Sequence, residues 1–533
     1  MSKPAGFFVR ESTGLTKQIS GLEALAMALS GMGLLYVFNV IAFVPAFYPD
    51  ANPLMQPFIG LLLVLPFAFM YTLLAIGIPR TGGDYIWTSR ILNPWIGFVS
   101  NFTITMLSLS FIGSVGPWIP QWSLGEMFYD LGVLLHKQSY FTIANNLQAP
   151  FTIFWVTALF TILAGVIVLI STKIATAIVK YWTILAIVIG IIFIATVLSA
   201  GRTTFIRNFN AFSGSNYNEV IAEGQALGAY NGVPPAFSFS SFYAGALGLL
   251  AYLAWFYPAY FAGEVRQNKT TQILAQIGGV VIFAIFTEVM VAVEYYGEGP
   301  AFANAMAALW INGSPKYPYI NIPLASGLSM YWTQNPVLVA IFNISFGITV
   351  FVMSVSILFS MSRNIFAWSF DRILPSFFAS LNSKTRTPAN AIAIMTIVGL
   401  IYLYLAVFNY GSLAEVFSYG TAGIFIAFLF VSFAAMIFPY VKRDIFEKTD
   451  SLVKKRIGSI PLITIIGVIC VIISLVTVYS IVLPAIGGSF FYVFFTGIIP
   501  TFIIALIIYG IAFVVRKKQN IDLNVVFKEI PPE

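Results

Sequence analysis

Long apolar runs recur along the whole chain, and short polar connections separate them. A helix needs about 20 apolar residues to cross a hydrocarbon core of about 30 Å, and most of these runs reach that length. The pattern therefore predicts an all-α integral membrane protein with about 12 transmembrane helices. The predicted spans are 21–44, 54–78, 94–119, 151–171, 181–200, 242–262, 273–295, 337–361, 389–408, 413–440, 461–484 and 491–515.

Two of the spans contain a helix-breaking feature near the middle. In the first span, Gly31 and Gly33 follow Ser30, and each glycine costs a helix about 1 kcal/mol relative to alanine. In the sixth span, Pro258 has no N–H for the carbonyl of Ala254, so we expect the helix to kink or unwind there. Taken separately, each feature favours a simpler explanation, which is close helix packing for the glycines and an ordinary kink for the proline.

The positions of the two features relate them to each other. The sixth span lies five spans after the first, so the two helices run in opposite directions and each begins a set of five. Matching breaks in two inverted halves indicate the binding site of a secondary transporter. Helix ends exposed there offer N–H groups to a carboxylate and carbonyls to an ammonium group. We therefore predict that residues 30–33 form one half of a substrate site and that the break near Pro258 forms the other half.

Composition and charge agree with a membrane protein. Of 533 residues, 59% are hydrophobic and 9% are charged, whereas a soluble domain has about 25% charged residues. The net charge of +7 does not indicate nucleic-acid binding here, because the basic residues flank the spans. If both chain ends are cytoplasmic, only Lys137, Arg202, Arg207 and Lys316 of the 27 lysines and arginines lie outside. The positive-inside rule therefore predicts cytoplasmic termini, and we expect a multi-pass protein of the plasma membrane.

The sequence offers little for covalent or metal chemistry. Its one cysteine, Cys470, excludes an internal disulfide, and its one histidine, His136, argues against a zinc or haem site. No pairing of a nucleophile with a base is evident, so we expect neither an enzyme nor a bound cofactor.

Four dispersed stretches resemble motifs of a known family, the amino acid-polyamine-organocation (APC) permeases. The first-helix stretch resembles the family's glycine-serine-glycine break, with Met32 in place of the serine. The others resemble the double-glycine loop before the third helix, the end of the sixth helix, and the arginine-aspartate-leucine-proline run after the eighth. The four stretches are 30–34, 79–85, 263–268 and 362–375, the last continuing to 386–391. Their order and predicted topology also resemble those of the family, so the chain is identified as a member of it.

The resemblance implies a five-plus-five inverted-repeat transporter fold with broken first and sixth helices and two extra carboxyl-terminal helices. It also implies amino acid transport by alternating access, with a small-molecule substrate and the lipid bilayer as partners and no nucleic acid. The expected divisions are a cytoplasmic segment (1–20), the first repeat (21–200), an extracellular loop (201–241), the second repeat (242–440), helices 11 and 12 with the preceding basic loop (441–515), and a cytoplasmic tail (516–533).

A departure from the family pattern bears on the substrate. In the sixth-helix break, Ala254, Trp255 and Phe256 stand where many members have glycine, phenylalanine and glutamate. A second cation on the substrate would lack a partner in this low-dielectric region, which favours a neutral amino acid. The predicted substrate-binding residues are Ser30, Gly31, Met32, Gly33, Ala254, Trp255, Phe256 and Tyr257, with Pro258 as the helix break. The three aromatic residues either close over the substrate or pack in the core.

The coupling ion is left open between H⁺ and Na⁺. Some relatives carry a lysine within the fifth helix, but here Lys180 falls at the edge of that span. Relatives of this fold bind sodium between the first-helix break and a hydroxyl on the eighth helix, which suggests Ser354 and Ser356. Serines in membrane helices more often bond their own backbone. Glu288 is an acid within the seventh span and a candidate proton relay.

Charged residues at the cytoplasmic ends of the spans suggest an inner gate. Asp84 and Glu264 are predicted to face Arg363, Asp371 and Arg372, as charge pairs that separate when the protein opens inward. Ordinary interfacial charges are the alternative. For the function as a whole, the alternatives are a non-transporting amino acid receptor and a carrier of another small solute, such as an amine or a nucleobase.

Overall fold

The computed structural model describes residues 14–35, 38, 40–408, 413–482 and 498–527. Within these ranges the chain is mainly helical. The strands found there form one short hairpin, in which β1 (Arg456–Ile457) pairs antiparallel with β2 (Ile460–Pro461). The predicted all-α class is therefore confirmed.

The described residues of the amino-terminal part form helices α1 to α10. They are α1 Gly21–Met32, α2 Val40–Phe47, α3 Met55–Gly77, α4 Asp84–Ile91, α5 Pro94–Val115, α6 Gly125–Leu135, α7 Gln138–Asn146, α8 Pro150–Ile170, α9 Thr172–Phe212 and α10 Tyr217–Ala226. A π-helical turn at Ile119–Leu124 leads into α6, and α9 bends at Gly201, whose φ is 68°.

The carboxyl-terminal part continues the helical pattern. Its helices are α11 Phe239–Ala251, α12 Tyr257–Tyr260, α13 Asn268–Gln272, α14 Gly279–Glu298, α15 Pro300–Ile311, α16 Ala325–Trp332, α17 Pro336–Phe370, α18 Ala389–Val407, α19 Leu413–Val441, α20 Arg443–Phe446, α21 Leu462–Val482, α22 Ile499–Lys518 and α23 Leu523–Val526. A π-helical turn at Ile273–Gly278 joins α13 to α14, and 3₁₀ turns lie at Ala262–Glu264 and Ser376–Ala379.

The predicted spans correspond to these helices. In the described residues, nine helical stretches are long and apolar enough to cross a membrane. The first and sixth spans are instead each divided into two helices, and the eleventh corresponds to α21. Two helices are clearly longer than predicted. The eighth continues past residue 361 to Phe370, and the fifth, predicted over 181–200, begins at Thr172 and ends at Phe212. The long connections predicted outside also contain helices, namely α6, α7, α10, α15 and α16.

Burial distinguishes a central helix from peripheral ones. In the most apolar 18 residues of the Pro94–Leu135 stretch, 89% of the residues are buried. In those of Ile499–Lys518, 11% are buried. Peripheral helices expose large apolar side chains such as Phe151 on α8 and Leu198 on α9. Such exposed apolar surfaces suit contact with lipid tails. The high burial of the stretch that contains α5 places that helix in the interior of the bundle.

Main-chain hydrogen bonds join several connections at the end of the bundle where α1 begins, here called the N-terminal face. The N–H of Ile19 donates to the carbonyl of Glu264 (3.0 Å), and the N–H of Arg266 donates to the carbonyl of Ile19 (3.0 Å). The N–H of Gly82 donates to the carbonyl of Tyr260 (2.9 Å). The segment before α1, the α3–α4 connection and the segment after α12 are therefore held together by their backbones.

Candidate functional site

The breaks in the first and sixth helices lie against each other. Helix α1 ends at Met32 and α2 begins at Val40, while α11 ends at Ala251 and α12 begins at Tyr257. A methyl group placed on Gly31 would lie 2.8 Å from the Cβ of Ala254, closer than two carbon atoms pack. The absence of a side chain at this glycine is what lets the two interrupted helices touch.

Helix α1 begins and ends with recognisable capping groups. The backbone N–H of Ser20 donates to the carboxylate of Glu23 (2.8 Å), and the Ser20 hydroxyl accepts from the Glu23 N–H (3.4 Å), which forms a capping box. At the other end, Gly33 has a φ of 77°, and its N–H donates to the carbonyls of Leu29 and Ser30. A left-handed glycine is a common helix terminator, so the glycine predicted to weaken this helix does end it.

The sixth-helix break differs from its prediction. The non-helical segment is Tyr252–Phe256, ahead of Pro258, which is the second residue of α12. A proline in the first turn of a helix needs no N–H partner, so Pro258 begins a helix here and interrupts none. The carbonyl of Ala254 accepts from the N–H of Tyr257 (3.1 Å). The prediction that Pro258 leaves this carbonyl free is therefore wrong.

A cavity lies between the two breaks. Its empty volume is about 440 Å³, including space open to solvent. The lining consists of Gly31 and Met32 from α1, Ser108, Phe111 and Val115 from α5, Leu253, Ala254, Phe256 and Tyr257 from the sixth-helix region, Met353 and Ile357 from α17, and Ile424 from α19. Five of the eight residues that the sequence assigned to the substrate site thus lie in one cavity wall.

The cavity wall is apolar and carries few polar groups. Among the described residues that line it, none has a carboxylate, ammonium or guanidinium group. The hydroxyl of Ser108 lies beside the phenol of Tyr257 but makes no hydrogen bond of ordinary geometry within the described structure. Helices α1 and α11 both end at this level, and a helix end of this polarity carries partial negative charge, which suits an ammonium group.

Three predicted substrate residues, Ser30, Gly33 and Trp255, lie outside the lining. The Ser30 hydroxyl is 2.8 Å from the hydroxyl of Thr183 on α9, so it ties α1 to the fifth helix. The ring of Trp255 packs edge-on against Tyr71 at 5.1 Å and also contacts Phe428 at 5.8 Å. Trp255 therefore packs behind the cavity wall, whereas Phe256 and Tyr257 face the cavity.

The residues proposed for ion coupling are dispersed. The Ser354 hydroxyl donates to the carbonyl of Val350 within its own helix (3.2 Å), as serines in membrane helices commonly do. The Ser356 hydroxyl points toward α1, 3.9 Å from the sulfur of Met27. Glu288 is half-buried on α14 and outside the cavity lining, and its Oε2 has no hydrogen-bond partner among the described groups.

The charged residues predicted as an inner gate lie at the N-terminal face. Together with Arg90 they are here called the inner closure, which consists of Asp84, Arg90, Glu264, Arg363, Asp371 and Arg372. Arg363 donates through Nε (2.9 Å) and Nη2 (3.0 Å) to both carboxylate oxygens of Glu264. The same guanidinium lies 3.6 Å from the ring centroid of Phe359 and donates to the hydroxyl of Thr172 on α9. This pair joins the segment after α12 to α17, and both side chains are 1% exposed.

The other predicted gate residues have different partners from those expected. Asp371 forms a bidentate pair with Arg90 of α4 (2.6 and 2.8 Å), a residue that the sequence did not single out. Asp84 accepts hydrogen bonds from neutral groups and pairs with neither Arg363 nor Arg372. Arg372 has a φ of 65°, and its carbonyl accepts from the Nε of Arg516 (2.7 Å). Of the expected charge pairs, Glu264 with Arg363 is the one present.

Sequence reasoning missed the walls supplied by α5, α17 and α19. Their lining residues are apolar or small, such as Phe111 and Ile424, and lie in spans that are apolar throughout. The strongest signal available was the run of serine and threonine residues in the third span, which includes Ser108. A single sequence gives no means of telling that hydroxyl from those bonded to their own helix.

Comparison with known families gives a match over most of the chain. The family model described as amino acid permease matches residues 19–516. A comparison with curated proteins finds no match. The family match includes both broken helices, the cavity between them and the inner closure. The chain therefore belongs to the amino acid permeases of the APC family.

Proposed function

We propose that this protein is a secondary transporter that carries neutral amino acids with apolar side chains across the plasma membrane by alternating access. The observation that supports this proposal most directly is the cavity between the two helix breaks. It combines the carboxyl-terminal ends of α1 and α11, which suit the ammonium group of an amino acid, with a wall of apolar side chains. Family membership supplies the coarser conclusion, which is that the protein transports amino acids.

The absence of ionisable side chains from the described lining supports a neutral substrate. An amino acid such as lysine or glutamate brings a third charge, and an unpaired charge in a low-dielectric site costs several kcal/mol. The α-ammonium group is different, because the backbone carbonyls at the ends of α1 and α11 offer it partners. The cavity therefore favours substrates whose side chain carries no charge.

The chemistry of the wall supports substrates with apolar side chains. Met32 and Met353 contribute flexible thioether chains, and Phe111, Ile357 and Ile424 contribute bulky apolar surface. Methionine adapts to irregular shapes, so a wall of this kind accepts several apolar side chains with little discrimination among them. We propose leucine, isoleucine, methionine and phenylalanine as the substrates to test first.

Alternating access requires a barrier that opens on each side of the cavity. The inner closure, with its buried Glu264–Arg363 pair, is the proposed barrier on the N-terminal face. We assign this face to the cytoplasm because most lysines and arginines in the connections lie there under the predicted topology. Opening to the cytoplasm then separates the segment after α12 from α17.

Counterflow in proteoliposomes tests the proposal. Vesicles preloaded with unlabelled leucine should accumulate labelled leucine, and external methionine or phenylalanine should compete, whereas lysine and glutamate should not. Repeating the assay with sodium replaced by potassium, and with the pH varied, determines whether Na⁺ or H⁺ is coupled. Counterflow of lysine or glutamate without counterflow of leucine would overturn the proposed substrate class.

A further inference from the structure

We propose that Asp84 is a proton-binding site within the inner closure, and that a proton bound there holds the N-terminal face closed. The inference deepens the proposed function, and its transport test rests on that function. The conformational test described below does not.

The carboxyl group of Asp84 lies where three elements meet. Its Oδ2 accepts from the phenol of Tyr71 on α3 (2.9 Å) and from the phenol of Tyr260 on α12 (3.0 Å). Its Oδ1 accepts from the side-chain amide of Asn101 on α5 (2.5 Å). The residue is 2% exposed. Both carboxyl oxygens are thus held in a closed polar site that contains neutral donors.

Two of the cationic side chains of the inner closure are paired with other acids. Arg363 is bound by Glu264, and Arg90 is bound by Asp371. The phenol of Tyr85 also donates to Asp371 (2.7 Å), so it faces away from Asp84. The other ionisable groups that interact with Tyr71 and Tyr260 here are Tyr257 and Cys470. Arg80, in the connection before Asp84, donates to the carbonyl of Pro79 (3.0 Å). Helix α5 and residues 423–439 of α19 carry none.

Asp371 shows what the same side chain does when a cation is present. It is also fully buried at this face, but the Arg90 guanidinium compensates its charge through two hydrogen bonds. Asp84 has no such compensation, and burial raises the pKa of its carboxyl from the ordinary 3.8 to about 6. The hydrogen bonds from Tyr71, Asn101 and Tyr260 lower this pKa but do not offset the burial. The group therefore titrates in a range that a cell reaches.

Opening the N-terminal face must take this site apart. Asp84 begins α4, and the α3–α4 connection just before it is bound by its backbone to Tyr260. Separating α12 from α4 removes the Tyr260 phenol and admits water to the carboxyl. Once solvated, the carboxyl returns to its ordinary pKa, so the closed state binds the proton more tightly than the open state.

The sign of the pH effect follows from this difference. The proton favours the closed state fully below pH 3.8, and this stabilisation is lost as the pH rises through about 6. For these two pKa values, lowering the pH from 7.5 to 5 raises the ratio of closed to open protein about tenfold. The direction is opposite to that of an acid paired with an arginine, which favours the closed state only while it is charged.

Hydrogen–deuterium exchange measures this closure without any substrate. We expect peptides from 79–91 and 257–266, corrected for the intrinsic pH dependence of exchange, to be about tenfold better protected at pH 5 than at pH 7.5. In Asp84→Asn, which keeps one carbonyl acceptor for the two phenols, this difference should disappear. Asp450→Asn is the matched control. Its carboxylate lies in the connection before α21, where the N–H of Leu452 and the ammonium of Lys269 keep its pKa below the ordinary value.

A second variant covers the case in which Asp84→Asn does not fold. Tyr260→Phe removes a donor that lowers the pKa of Asp84, so the midpoint of the protection change should move to higher pH. Protection that depends on pH equally in wild type and Asp84→Asn, or an unmoved midpoint in Tyr260→Phe, would overturn the proton site.

Leucine counterflow separates this proposal from the proposed function. With a functional transporter, wild-type counterflow should fall up to tenfold between pH 7.5 and 5, and counterflow by Asp84→Asn should not. If no amino acid is transported but the exchange difference is present and depends on Asp84, the proposed function fails and the proton site stands. If leucine is transported and the variant keeps the wild-type pH profile in both assays, the proton site fails alone.

Discussion

The break in the first helix and the break in the sixth are built from different residues. In the first, Gly33 adopts a left-handed conformation with a φ of 77°, which glycine does at no steric cost. In the sixth, Ala254 adopts nearly the same φ of 76°, although it has a side chain. A left-handed residue other than glycine costs roughly 1–2 kcal/mol, so the surrounding structure must hold Ala254 in place.

The contact between the breaks explains this difference. Gly31 approaches Ala254 and Tyr257 so closely that only one of the two facing residues, Gly31 and Ala254, can carry a side chain. The methyl group of Ala254 fills the space that Gly31 leaves, and both residues line the cavity. The first break therefore contributes freedom of the backbone, and the sixth contributes the apolar surface. Three substitutions test this division.

The largest effect is expected for Gly31→Leu. Its Cβ would lie 2.8 Å from the Cβ of Ala254 and 3.1 Å from the ring of Tyr257, and the rest of the side chain would enter the cavity. Overpacking costs about 1–3 kcal/mol, and a filled cavity leaves no room for substrate, so leucine counterflow should be lost. Gly510→Leu is the matched control, because nothing lies within 4 Å of a methyl group at Gly510 on α22. Counterflow by Gly31→Leu at the wild-type rate would mean that substrate binds elsewhere.

A smaller effect is expected for Ala254→Gly, and it is an increase in stability. Glycine removes the cost of the left-handed conformation but loses about 0.5–1 kcal/mol through the freedom of the unfolded chain. The purified protein should therefore gain up to about 1 kcal/mol, measured as a rise in thermal midpoint in detergent. Ala251→Gly, the same change at the end of α11, should lower the midpoint instead. Equal losses in both variants would show that Ala254 is not strained.

The smallest effect is expected for Pro258→Ala. The non-helical segment Tyr252–Phe256 ends before the proline, and Pro258 lies in the first turn of α12. Alanine is tolerated there, so leucine counterflow should remain within about twofold of wild type. A loss as large as that of Gly31→Leu would restore the proline as the cause of the break.

The sequence predicts the general position of both breaks because each leaves a local signal. Gly31 and Gly33 weaken a helix wherever they occur, and Pro258 constrains the backbone within one turn of itself. The conformation of Ala254 leaves no such signal. Alanine has the highest helix propensity, and its left-handed φ follows from tertiary contact with the first helix.

The inner closure shows a similar limit. Charged residues near span ends can be recognised, and Glu264 with Arg363 was among the predicted combinations. The partner of Asp371 was not, because Arg90 lies in a connection with a second arginine, Arg80, that looks equivalent in the sequence. Pairing depends on which side of the short helix α4 each side chain leaves, and a boundary error of one residue changes that side by about 100°.

The backbone bonds between residues 19 and 264–266 have a further consequence. They involve no side chain, so the stretches they join form a single ribbon whose cohesion does not depend on residue identity at those positions. If the N-terminal face opens as proposed, this ribbon should move as one piece and carry both interrupted helices with it. Side-chain substitutions within the ribbon should therefore change how often this face opens, but should have less effect on which segments move together.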